Sequence, residues 1–184
     1  LNRQLWDIPA GHRIVFGQDY LYADGVRLSK DEQAIYAQSQ SDDKGTFPPL
    51  SIGFERFKIQ ELTKLANLDA DYLSGLLQGE IQLSQPDTSL RYALNLSLDD
   101  LTVDKEPIGR LQIDAQPDAA GKLLNLDAQL SGAQNDLSVA GQYGFEEGSL
   151  DFEVDSKGLQ LAPVDFFALG NTRDSRGRIN ADLS

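Results

Sequence analysis

The stretch Leu90-Arg91-Tyr92-Ala93-Leu94-Asn95-Leu96-Ser97-Leu98 decides the fold class. Its large apolar residues fall on every second position, with polar or small residues between them. A β-strand converts that period of two into one apolar face and one polar face. The same alternation precedes it at Gly79, Ile81 and Leu83 and follows it at Leu111, Ile113 and Ala115. It returns at Leu124, Leu126, Ala128 and Leu130, at Leu137, Val139, Gly141 and Tyr143, and at Leu150, Phe152 and Val154. Turn chemistry separates these runs: Gln85-Pro86-Asp87, Lys105-Glu106-Pro107, Gln116-Pro117-Asp118 with Gly121, Gly132 to Asp136, and Glu146-Glu147-Gly148. One strand follows another every 10 to 13 residues or so with no helix between, which implies an antiparallel meander.

The N-terminal part reads as short strands carrying Trp6 and Ile8, Ile14 and Phe16, Leu21, Val26 and Leu28, and Ile35 and Ala37. Residues 39–46 are the most loop-like and divide the chain into an N-terminal β-hairpin region, 1–46, and a repeated unit, 47–184. Pro48-Pro49 then leads into a strand with Ile52 and Phe54 on one face. Two helices are expected to interrupt the sheet pattern. Ile59, Leu62, Leu65 and Ala66 have helical spacing with Asn67 as a stop, and Pro163 opens a second turn carrying Val164, Phe167 and Ala168 before Gly170.

Among 184 residues, 29 are Asp or Glu and 16 are Lys or Arg, a net charge of −13. That balance argues against a nucleic-acid partner and against attraction to anionic headgroups. There is no Cys, hence no disulfide, thiolate metal site or thiol nucleophile. His12 is the only histidine and reads as a turn residue. No Gly-x-Ser-x-Gly elbow, phosphate-binding glycine loop or calcium-loop spacing occurs. The carboxylate pairs Asp42-Asp43, Asp99-Asp100 and Glu146-Glu147 read as solvated turns. An enzyme would need carboxylates from different strands to converge in a cleft. The reading is therefore of a non-enzyme with no catalytic residue, cofactor or metal. Trp6, Phe16, Tyr20, Tyr22 and Phe47 could line or cap a groove, and most of them read as core packing. The chain begins with Leu1, has no Met and carries no run of about 18 apolar residues, which reads as a piece excised from something longer.

An internal repeat of roughly 100 residues relates the two helix positions. Phe57-Lys58-Ile59 leads through Leu62 and Leu65 to Gly79-Glu80-Ile81-Gln82-Leu83. Gly158-Leu159-Gln160-Leu161 leads through Val164 and Phe167 to Gly177-Arg178-Ile179-Asn180-Ala181-Asp182-Leu183. The second copy begins near 158 and stops at 184. This cadence, with Leu73-Ser74-Gly75, Pro107-Ile108-Gly109-Arg110-Leu111 and Leu130-Ser131-Gly132, resembles the TamB family, the AsmA-like envelope proteins of the translocation and assembly module.

The resemblance implies a mostly β fold, an elongated antiparallel sheet curled lengthwise into an apolar-lined groove of the β-taco kind. It further implies a periplasmic segment of a protein anchored in the bacterial inner membrane. Its partners would be phospholipid acyl chains or unfolded outer-membrane protein strands, with an Omp85-type barrel engaged through another part of the parent chain. The candidate lining is Ile81, Leu83, Leu94, Leu96 and Leu98, then Leu111, Ile113, Leu126, Leu130, Val139 and Phe152. Glycines 79, 109, 132 and 141 could thin the lining or sharpen a bend, or equally serve as turn and bulge residues, which is the reading for Gly132. The alternative is that the same residues form the closed core of a β-sandwich in a secreted or surface repeat protein.

Overall fold

The computed structural model describes residues 6–17, 20–40, 47–61, 73–85, 91–146, 148–160 and 178–183. Twelve strands follow in chain order: β1 Arg13–Gly17, β2 Tyr20–Asp24, β3 Val26–Lys30, β4 Gln33–Ser39, β5 Phe47–Lys58, β6 Leu73–Gln85, β7 Arg91–Val103, β8 Glu106–Pro117, β9 Leu123–Gly132, β10 Asn135–Gly144, β11 Leu150–Gln160 and β12 Arg178–Leu183. Strands β3 to β12 form one ten-stranded sheet in which every strand pairs with its sequence neighbours. All these pairings are antiparallel, and the sheet is open, with β3 and β12 at its edges. Strands β1 and β2 form a separate two-stranded sheet. The large sheet passes from β4 to β5 without a break across residue 46.

Register turns the sequence alternation into continuous rows. Leu28, Ile35, Phe54, Gly79, Leu96, Ile113, Ala128, Val139 and Val154 stand side by side from β3 to β11. Two residues along, Val26, Ala37, Ile52, Ile81, Leu94, Ala115, Leu126, Gly141 and Phe152 make a parallel row. The pleat sends the residues between these rows to the other face, where Glu80, Asn95, Asp114 and Asp127 are consecutive partners.

Near one end of the strands the ladder is interrupted. Extra residues at Glu55-Arg56 in β5 and Asp99-Asp100 in β7 shift the register, with Arg56 and Asp100 at positive φ. Bulges of this kind bend and twist the strands that carry them. Beyond them Leu101, Val103 and Ile108 join Leu98 in a buried cluster, with Ile59, Leu73, Leu77, Leu111 and Leu130 against it. Asn135 donates to the Ile108 carbonyl at 2.8 Å and ties the β9–β10 turn to this tip. Asp99 is therefore no turn residue. It accepts from Arg110 at 2.9 Å and from Gln78 at 2.7 Å on the polar face. Gly79 serves the same region, since its φ is +120° and a Cβ there would overlap the Asn95 carbonyl. Gly132 is a turn residue, followed by Ala133 and Gln134 at positive φ.

No helix is complete among the described residues. Gln60 and Glu61 have helical geometry, and the rest of the helix expected over 59–67 lies outside the described residues, as does the one over 163–169. Asp42-Asp43 and Glu147 also lie outside them.

Candidate functional site

The eleven candidate lining residues stand on one face of the large sheet, in neighbouring rows. Most are half-buried, but their surroundings differ. Leu98 is enclosed in the bulge cluster, and Leu111 and Leu130 pack on it. Ile81, Leu94, Leu96, Ile113, Leu126 and Val139 hold the middle of the face at intermediate exposure. Phe152 is 42% exposed, and its ring lies where a side chain on Gly141 would stand. That cross-strand pairing of a ring over a glycine compensates for the missing side chain. Leu150, one row along, is 65% exposed.

Two rows of rings and aliphatic groups border the middle of the face. On the side away from the bulges, Phe145 meets Tyr92 of β7 at 6.0 Å and Tyr143 of β10 at 5.6 Å, both edge to face. This aromatic bridge spans strands β8 and β9 close to Leu124, and both Leu124 and Ala115 are buried. On the other side stands the bulge cluster. The bridge and the cluster were not legible as partners of the alternating rows, because Phe145 lies in a turn and the bulges break the period.

The first strands treat the face differently. Residue Ala23 of β2 donates its amide to Ser39 Oγ at 3.0 Å, and Ser39 shares a row with Leu50 and Leu83. The β1–β2 hairpin therefore sits on the apolar side of β4 and β5, where Tyr22, Ala23, Ser39 and Leu50 are buried. Trp6 stacks on Phe57 at 5.8 Å, with the Lys30 ammonium over its indole at 5.6 Å. Phe16 departs from the core-packing expectation, because it is 80% exposed on the outer side of the hairpin. Tyr22 and Trp6 pack inward, while the side chains of Tyr20 and Phe47 lie outside the described residues. His12 is exposed in a turn, with Nδ1 3.0 Å from the Pro9 carbonyl.

The polar face is held by side-chain hydrogen bonds between strands. Arg27 makes a two-pronged contact with Glu55, at 3.0 and 2.5 Å, which holds the Glu55 carboxyl below its ordinary range. The Tyr36 phenol is pushed up, first by burial and then by the nearby Glu80 and Glu55 charges. In the β8–β9 turn, Asp118 accepts from the amides of Leu123 at 2.9 Å and Lys122 at 2.7 Å, and these lower its pKa.

Sequence reading missed one arrangement on this face. Asp114 and Asp127 are direct cross-strand partners, and with Asp151 and Glu153 they line a shallow open depression of about 590 Å³. Counting outward from the Asp118–Lys122 turn places the first two opposite each other, so the pair was recoverable from register. The amide of Asn95 donates to Asp114 at 2.5 Å and that of Gln129 to Asp127 at 3.2 Å. Neutral amides, Arg110 and open solvent surround these carboxylates. Among the described residues no group of three or more His, Asp or Glu is placed to hold a metal ion.

No protein-family model matches the chain, and no match to a characterised protein or a solved structure reaches significance. The site is thus read from its own chemistry. It offers a broad apolar strip some nine strands long, bordered on both sides, covered at its β4–β5 end and exposed at β11.

Proposed function

We propose that the chain is a non-enzymatic segment of a TamB-like periplasmic bridge, whose apolar strip forms a groove for phospholipid acyl chains between inner and outer membrane. The observation that carries this reading is the pair of unbroken apolar rows running in register from β3 to β11. Neighbouring strands are about 4.8 Å apart, so such a row offers an acyl chain continuous apolar contact across the strands. Burial of that contact is worth about 25 cal/mol per Å². The bulge cluster and the aromatic bridge supply the two walls, and the acidic face supplies a solvated back.

Against a β-sandwich stands the β8–β11 end. Among the described residues no second sheet covers it, and Leu150 and Phe152 remain exposed there. The β12 edge also fits acceptance of an unfolded outer-membrane protein strand by edge pairing, the assembly role of the same bridge.

Photo-crosslinkers at Leu96, Ile113 and Leu126 in the bacterial periplasm are expected to capture phospholipid, while those at Asn95 and Gln112 on the opposite face are not. Equal capture from both faces would sink the groove.

A further inference from the structure

The covered end of the strip is built as a door. Residues 8–17 and 20–24 lie between two attachments to the large sheet, both at β3. Before them, Asp7 and Ser29 exchange backbone hydrogen bonds of 2.8 and 3.0 Å. After them, Gly25 alone, at φ +59°, separates β2 from β3. Both attachments therefore lie along one edge strand.

Between them the segment carries its own ladder of five residue pairs from Arg13↔Asp24 to Gly17↔Tyr20, so it can move as a body. Among the described residues, hydrogen bonds from it to β4 that run through side chains include Ala23 N–H to Ser39 Oγ, Gly25 N–H to Gln38 Oε1 at 3.0 Å, and Gln38 Nε2 to Asp24 at 3.1 Å. Among the described residues no backbone ladder joins the hairpin to β4 or β5. Beneath it lies Leu50, 3% exposed, in the row that continues through Leu83 and Tyr92.

We propose that strands β1 and β2, with residues 8–12, form a flap hinged on β3 that shuts the β4–β5 end of the apolar strip, and that acyl chains reach Leu50 only when it swings open. Opening exchanges the hairpin's apolar contacts for those of an acyl chain, gives up its side-chain hydrogen bonds to water, and leaves the β1–β2 and β3–β4 backbone ladders intact. Local openings of this sort draw on the least stable part of a fold. The inference rests on the groove reading for its ligand, but the motion stands on the hairpin's attachments alone.

The absence of Cys permits a clean lock. Ala23→Cys with Ser39→Cys joins flap to sheet under oxidation. A diazirine-bearing aliphatic residue is placed at Leu50 or, separately, at Leu126, and the chain is mixed with phosphatidylethanolamine–phosphatidylglycerol vesicles. Lipid capture at Leu50 is expected to vanish on oxidation and return on reduction, with capture at Leu126 unchanged. Should the disulfide not form, Ser39→Ala is expected to raise capture at Leu50 about fivefold, the factor that loss of one buried hydrogen bond gives.

Capture at Leu50 that ignores both the lock and Ser39→Ala, while Leu126 still captures, overturns the flap. No capture at either position overturns the groove reading instead. The flap is then judged by hydrogen exchange: the Ala23 amide, which opening frees from Ser39 Oγ, is expected to exchange at least about tenfold faster than the ladder amides of β7–β8, as local opening gives. Exchange of Ala23 together with β7–β8 in one global event overturns it.

Discussion

At the β4–β5 end the apolar face lies under the chain's own strand β2, while at the β8–β11 end the same face carries Leu150 and Phe152 to solvent. Both ends are made of the same alternating strands. The difference comes from connectivity: the β2–β3 link is one residue, too short for an in-plane hairpin turn, so β2 is thrown out of the sheet and onto its face. The lesson is that one residue of linker decides whether a strand extends an apolar surface or covers it.

The comparison is broken most readily by truncation at its two ends. Leu50→Ala, beneath the flap, is expected to cost about 2–4 kcal/mol in chemical denaturation. Leu150→Ala, at 65% exposure, is expected to cost no more than about 0.5 kcal/mol. Equal losses would mean that the two ends are covered alike. Next in size, Ser39→Ala leaves the buried Ala23 amide without its acceptor and is expected to destabilise by about 1–2 kcal/mol. Denaturation midpoints at constant m-value measure it, and a neutral result would place the hairpin off the sheet.

Acid titration gives smaller effects at both ends. Glu55, held by Arg27, and Asp118, held by the Leu123 and Lys122 amides, have folded-state values below their unfolded ones. Their contribution is therefore fully present above the unfolded values and lost as pH falls through the folded ones. Glu55→Gln and Asp118→Asn are each expected to lower stability at neutral pH, and the gap from the parent chain is expected to close below about pH 4. The Glu55 effect is a few tenths of a kcal/mol, because both partners are about half exposed. A gap that widens in acid contradicts the sign. Smallest of all, Phe16→Ser on the outside of the flap is expected to change stability by less than about 0.5 kcal/mol. A larger loss would show that this ring is covered in solution.

Much of the sheet was legible because its energetics are periodic. The run from Leu90 to Leu98 fixes which face is apolar, and turns at Lys105, Asp118, Gly132 and Gly148 fix the neighbours. The alternation fails where a bulge adds a residue: Asp99-Asp100 looks like a turn because two adjacent carboxylates break the period, yet the strand continues to Val103. The flap was illegible for a different reason. Ile14 and Phe16 alternate like any strand, and periodicity carries no information about which sheet a strand joins. The helix readings rest on spacing within segments outside the described residues, apart from Ile59–Glu61.

The neighbour-only order of the large sheet bears on how it is made. Since every strand from β4 to β11 pairs with the one before and the one after it, each pairing closes only a short loop. Contacts this local favour rapid assembly for an all-β chain. A sheet of this kind can zip up from any hairpin and grow one strand at a time. Adding or removing a pair of strands would change how far the sheet extends, by about 10 Å, without rewriting the pairings already formed.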